Sequence, residues 1–309
     1  MGSVFGKSLE LVYPFNTMGE FLSELTWEMA PVIYTNLRID FGRKNLMSAM
    51  GFFASASIKL GIPGNSGTHE NRDWMSTQNN GLTHFSSHTN MMKDFLWADI
   101  RIGFSIPIRN WFYITPSISG SWMRFSFSGR DGYGKYARYS GCTAGCPPGT
   151  PSSTNPHPPG CAYTSDSSYY PIDSNPFNYV FTGEVIRYKQ DWLLAAAGFT
   201  IGTNIFSPLL LEFSFQISPF TYCAAVDDHL LRALTFNDYT AWGLFIEPKG
   251  SVSFITERIV YSLEFSYRYI GDTKGNTVIS DGSGYYKAAS EAGAGLSIID
   301  INFTVRLRI

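Results

Sequence analysis

Two short polar stretches carry residue types that hydrolytic chemistry uses. One is His69-Glu70-Asn71-Arg72-Asp73-Trp74-Met75, "HENRDWM"; the other is Val226-Asp227-Asp228-His229, "VDDH". In an extended chain alternate side chains share a face, so Asn71 and Asp73 project together and Glu70 projects the other way. Asp227 and His229 have the same spacing. An imidazole beside a carboxylate is a general base with its orienting partner. A plainer reading stands beside this one: Asn and Asp are common turn formers, and a histidine between acids is also what a rim ion pair looks like. Whether there is a site depends on whether the fold brings the two stretches together.

The dominant pattern in the chain has period two. Ile299, Ile301, Phe303, Val305, Leu307 and Ile309 alternate with Asp300, Asn302, Thr304, Arg306 and Arg308. Leu211 to Ile217 and Ser262 to Tyr269 repeat the alternation. Each such run is a strand with one apolar and one polar face. A soluble sandwich would bury the apolar faces, whereas a membrane barrel turns them to lipid. The runs often exceed the five or six residues usual for globular strands and suit the roughly 9–11 of a tilted spanning strand. Aromatic residues gather near run ends, as at Trp97, Trp111-Phe112-Tyr113, Tyr267 and Tyr269, in the manner of interfacial girdles. The expectation is an all-β fold, a ten-stranded antiparallel transmembrane β-barrel forming a single domain over residues 1–309.

The ten strands are predicted near 5–14, 20–41, 46–62, 93–108, 110–138, 177–204, 208–226, 237–255, 257–273 and 289–309. Short turns lie at one end: Phe41-Gly42-Arg43-Lys44, Ile108-Arg109-Asn110, Phe206-Ser207-Pro208 and Thr256-Glu257. Long loops lie at the other, near 63–92, 139–176, 227–236 and 274–288, which is the outer-membrane arrangement. Both polar stretches fall on the long-loop rim. Arg306 and Arg308 read as lumen residues paired with interior acids such as Glu264.

Composition narrows the function. The chain has 23 basic and 25 acidic residues, so it lacks the basic excess of a nucleic-acid binder. Charged residues are 16%, below the roughly 25% of soluble domains, yet no apolar run is long enough for a spanning helix. No secretory signal opens the sequence, so export is inferred from the rest. Cys142, Cys146, Cys161 and Cys223 suggest one or two disulfides; zinc lacks a second close cysteine pair, with His157 the one nearby imidazole. His69, His84 and His88 read as solvated loop residues rather than a metal set, and 147–159 as a Pro-rich outer loop segment.

Taken in order along the chain, "GKSLELVY" (Gly6–Tyr13), "LSELTW" (Leu22–Trp27), "NRDWM" (Asn71–Met75), "RFSF" (Arg124–Phe127), "RYKQ" (Arg187–Gln190), "DDH" (Asp227–His229), "KGNT" (Lys274–Thr277) and "GAG" (Gly293–Gly295) resemble the omptins, outer-membrane proteases of Gram-negative bacteria. The cysteine-bearing loop 139–176 has no counterpart in that likeness. The resemblance implies a groove at the extracellular end of the barrel. There an Asp-His pair and an Asp-Asp pair hold a water that attacks a peptide, with no metal, no cofactor and no covalent intermediate. Asp227, His229 and Asp73 match three of these four positions, and Asn71 stands at the fourth. An amide is nearly isosteric with a protonated carboxyl but can carry neither the proton nor the charge.

The same resemblance assigns substrate contacts. Glu10 matches one of two acids that hold the basic residue before the cut; the other falls at Ala225, which weakens or broadens that preference. Phe85 stands where an acid faces the next residue, and Ser87 matches a polar groove serine. Arg124 matches one member of a lipopolysaccharide-binding cluster, while Gly120, Trp122 and Asp191 stand where others would be. Dependence on lipid or lipopolysaccharide is thus in question. The partners implied are outer-membrane lipid and peptide or host-protein substrates, with the barrel a monomer. Two further functions compete: a catalytically impaired barrel that binds proteins through its outer loops, and a pore, which the charged interior of a small barrel disfavours.

Overall fold

The computed structural model describes residues 1–14, 21–42, 50–75, 81–137, 172–173, 176–204 and 208–307. Cys142, Cys146, Cys161, His157, most of the 139–176 loop, Arg308 and parts of two short turns lie outside these residues. Thirteen strand segments occur: β1 (Gly2–Tyr13), β2 (Ser23–Gly42), β3 (Gly51–Gly61), β4 (Gly64–Asp73), β5 (His84–Arg109), β6 (Phe112–Tyr136), β7 (Phe177–Thr203), β8 (Leu209–Ser218), β9 (Thr221–His229), β10 (Leu234–Ala241), β11 (Phe245–Ile255), β12 (Ile259–Ser280) and β13 (Tyr285–Leu307). They fill ten places in a closed ring. Both β3 and β4 lie between β2 and β5, β8 and β9 both flank β7, and β10 and β11 both flank β12. β13 pairs with the whole of β1 through residues 291–302 and closes the barrel.

Which face is buried decides between sandwich and barrel. On β13, Ile299, Ile301, Phe303 and Val305 are exposed, whereas Asp300, Asn302 and Thr304 are buried. On β12, Leu263 and Phe265 are about half exposed, while Glu264, Ser266 and Arg268 are buried. Apolar outside and polar inside is stable only where the outside is lipid. The interior is filled rather than open. Lys59 pairs with Asp300, Arg38 and Lys249 share Glu264, and Arg268 lies 3.9 Å from the centre of the Trp97 ring and pairs with Glu247. Arg306 pairs with Asp40 at 3.0 Å rather than with Glu264, whose two oxygens are already taken.

Three segments expected to be loops are largely strand. The chain bends at Pro63 and runs on as β4 to Asp73; β5 begins at His84; β9 and β10 extend to His229 and from Leu234; β12 and β13 extend to Ser280 and from Tyr285. Above the lipid neither face meets hydrocarbon, so the apolar alternation fades although backbone pairing continues. Periodicity reports the contrast between two environments, not the hydrogen bonds. Conversely, the runs 208–226 and 237–255 are each interrupted, at Pro219 and at Trp242-Gly243-Leu244. Trp242 has a φ of 70°, a conformation uncommon for a bulky residue.

Candidate active site

The two polar stretches sit on walls that are nearly opposite: β4 takes the third of the ten places and β9 the seventh. Both lie beyond the apolar belt. On β9 the exposed Tyr222 is five residues below Asp227, about 17 Å along an extended strand. Asn71 and His229 line one cavity of about 60 Å³, together with His69, Ser86, His88 and Tyr136. That is room for a few water molecules.

On the β9 wall, His229 Nε2 and Asp227 Oδ2 are 2.6 Å apart, and Asp227 is 1% exposed. Asp227 therefore fixes the ring with the proton on Nε2, leaving the Nδ1 lone pair as the base. The His229 ring packs edge-on against Phe236 at 5.2 Å. On the β4 wall, Ser23 Oγ lies 2.6 Å from Asp73 Oδ1 and 3.2 Å from Asn71 Oδ1, so one hydroxyl from β2 holds the two side chains in register. Glu70 points to the other face and pairs with Arg72, as alternation requires.

Two substrate-contact assignments fail on geometry. Phe85 is opposite Arg72 and Lys135, and Ser87 is opposite Glu70 and Tyr133. These belong to the face away from the groove, where the Phe85 ring lies 6.0 Å from the exposed Tyr133. The groove face carries His84, Ser86 and His88, opposite Asp73, Asn71 and His69. A match displaced by one residue exchanges the faces of a whole strand. The signal that could have corrected it is the histidine pair itself, since His84 and His88 share a face with Ser86.

The histidines are not solvated. His69 is 1% and His88 4% exposed. The His69 ring stacks on Trp27 at 3.8 Å and on His88 at 5.4 Å. His88 places Nε2 3.0 Å from Ser86 Oγ and Nδ1 2.6 Å from the Asp131 carbonyl. Burial pushes the His69 pKa well below the ordinary value, and the neighbouring His88 and His229 push it further; burial likewise lowers His84 and His88. The folded rim thus refuses protons that the unfolded chain accepts. Stability is full above the unfolded histidine pKa of about 6.5 and falls as pH drops towards the folded values. Unfolding in lipid vesicles at pH 8 and pH 5 is expected to show a smaller acid loss for His69→Phe, which keeps the stack without titrating. Equal acid losses in both proteins would refute this.

Glu10 on β1 is 3% exposed and lies near Asp227 and Asp238; its pKa is raised well above normal, first by burial and then by those two carboxylates. Ala225 is buried on β9 two residues before Asp227. Arg124, on the outer wall, is held by Asp191 through two hydrogen bonds of 2.7 and 3.1 Å. Cys223 is buried and free, so two disulfides from the four cysteines are ruled out. Asp238, which sequence reading passed over, lies on β10 directly opposite Ala225 and is buried.

A family model for the omptin family matches residues 1–153 and 164–309. This chain belongs to the omptin family. The fold agrees: the crystal structure of the outer-membrane protease OmpT from Escherichia coli superposes with a TM-score of 0.71, covering 99% of this chain and 94% of that one at 18% identity. A search of curated protein sequences finds no match. The omptin assignment places the chain in the bacterial outer membrane and in a family of proteases. It covers the ends of every strand described above and skips only 154–163, inside the cysteine-bearing loop.

Proposed function

We propose that this omptin is a surface endopeptidase that hydrolyses peptides with a water held between Asp227–His229 and Asn71–Asp73. The observation that carries the reading is the water-sized cavity that Asn71 and His229 line together from opposite walls. In this scheme His229 Nδ1 takes a proton from the water as the oxygen attacks the scissile carbonyl. Asp227 stabilises the imidazolium, and His229 then hands the proton to the leaving amine. Asp73, positioned by Ser23, accepts a hydrogen bond from the water and orients it. With the water's other hydrogen going to His229, Asn71 shares the one that faces Asp73 through its carbonyl and adds no negative charge. The residue after the cut meets His84 and Ser86 rather than Phe85. Arg124 is already engaged by Asp191, so a lipid phosphate would have to displace a carboxylate to reach it.

The test is cleavage of a randomised peptide library by protein refolded in lipid, beside Asn71→Asp. Wild-type cleavage is expected, with Asn71→Asp about 10- to 100-fold faster, a barrier change of roughly 1.4–2.7 kcal/mol. Cleavage by Asn71→Asp alone would mean that the amide has retired the chemistry of an intact groove. Silence from both would overturn the reading in favour of a barrel that binds proteins through its outer loops.

A further inference from the structure

The cavity beside His229 is lined by more than the groups that hold the water. Beyond Asn71 and His229 its wall includes His69, Ser86, Tyr136 and Arg232, with Ile186 and Leu231 on its apolar side. Among the described residues no acid lines it. Arg232 is placed there by the turn between β9 and β10. Its backbone N–H donates to the His229 carbonyl at 3.0 Å, and the Leu230 N–H donates to the Val185 carbonyl of β7 at 3.1 Å. Ala233, with a φ of 52°, then turns the chain into β10. The turn closes three residues after the base, so the guanidinium is tied to the same wall as His229.

Two groups of this lining lack partners. Arg232 is half-buried, yet among the described residues its side chain forms no ion pair and no hydrogen bond. Arg72, Arg124 and Arg187 are each held by an acid. His69, 1% exposed, has no partner at either ring nitrogen. A neutral imidazole carries one N–H and one lone pair, and a buried donor left unpaired is costly. Tyr136 is pushed up to about 12 by burial, against the pull of Arg232, so its hydroxyl keeps its proton and can donate. The acids of the site, Asp73 and Asp227, are already held by Ser23 and His229. Among the described residues no three histidines, cysteines or acids are arranged to share a metal ion. Donors gathered around an unpaired guanidinium suit an anion, and a carboxylate matches the planar fork of arginine.

We propose that this cavity takes a carboxylate of the substrate, with Arg232 forming the ion pair and His69 and Tyr136 donating to it, so that the enzyme prefers Asp or Glu directly after the cut. The inference rests on the endopeptidase reading and deepens it, since the residue after the cut is the one that meets Ser86. The cavity of about 60 Å³ has room for a carboxyl group beside the attacking water but not for a long basic side chain as well. Ile186 and Leu231 cover the methylene stem. Lys or Arg at this position would set a second cation against Arg232, and like charges brought together at an interface disfavour the wrong partner.

Glutamic acid α-amide, which mimics the first residue of the released fragment, tests binding without cleavage. In the refolded barrel with nitrogen-15-labelled histidines, it is expected to shift the His69 ring signals saturably, those signals being assigned by their loss in His69→Phe. Glutamine α-amide and lysine α-amide should not shift them. Affinity should fall about 10- to 100-fold in Arg232→Gln, the usual range for a lost charged hydrogen bond, and Arg232→Lys should recover part of it. On peptides, the ratio of kcat/KM for Glu over Gln after the cut should fall by the same factor in Arg232→Gln and turn towards Lys in Arg232→Glu. Absence of a His69 shift in the wild type overturns the inference, as does unchanged affinity in Arg232→Gln. Equal losses on Glu and Gln peptides would overturn it too, and would make Arg232 a partner of the reacting carbonyl instead. Binding of the amide without cleavage of any peptide would leave this pocket standing and remove the endopeptidase reading.

Discussion

Replacing His229 with alanine should lower peptide cleavage by about 10²- to 10⁴-fold, the range a positioned general base supplies. The prediction follows from how completely the site depends on one imidazole. Asp73 is held by Ser23 and Asn71 cannot take a proton, so the β4 wall orients water without a strong base. His69 and His88 are buried, and burial keeps them poor bases. Asp227→Asn should cost a comparable factor although it removes no volume, because an amide oxygen no longer stabilises the imidazolium. Both variants should fold. Initial rates on a peptide drawn from the library decide it: a loss smaller than tenfold in His229→Ala would show that the proton goes elsewhere.

The largest expected effect on stability lies in the lumen. Arg268 is 2% exposed, pairs with Glu247, lies 3.5 Å from Asp99 and covers the Trp97 ring. Arg268→Leu keeps much of the packing but strands two carboxylates in a filled interior. Removing one partner of a buried pair costs about 3–5 kcal/mol. The variant should unfold at clearly lower urea concentration in vesicles, and Arg268→Leu with Glu247→Gln should recover part of the loss. An unchanged midpoint would mean that water reaches these carboxylates and that the lumen is not closed at this level.

The barrel was legible because lipid inverts the usual pattern over many residues. Ile299 to Val305 alternate strictly, and nothing but a lipid-facing wall explains an exposed apolar row over a buried row of Asp300, Asn302 and Thr304. Strand ends above the lipid were not legible, since β4 reads "GNSGTHENRD" with no apolar face to count. Likewise Asn71, Asp73, Asp227 and His229 stood out by spacing, and the fold brings Asn71 and His229 to one cavity. Phe85 and Ser87 were misplaced by a single residue, an error that matters in a strand because it exchanges faces. Asp238 was invisible for a different reason. Its significance lies in register with Ala225 across β9 and β10, and pairing between strands is not written in the spacing of either one.

The three interrupted places in the ring coincide with the proposed site. β4, β9 and β10, which carry Asn71, Asp73, Asp227, His229 and Asp238, are the upper halves of those places, set off by Pro63, Pro219 and Trp242-Gly243-Leu244. Two of the breaks are neighbours, joined by a hydrogen bond from Thr221 Oγ1 to the Gly243 carbonyl. A continuous stave transmits the tilt that lipid imposes on its lower end to its tip. A jointed stave depends on its neighbours for that: β2 and β5 flank β4 as they flank β3, β7 flanks β9 as it flanks β8, and β12 flanks β10 as it flanks β11. The candidate groups are therefore mounted on short segments held in place by through-running staves on either side, so that the backbone can turn at the joint while the wall above the lipid stays paired.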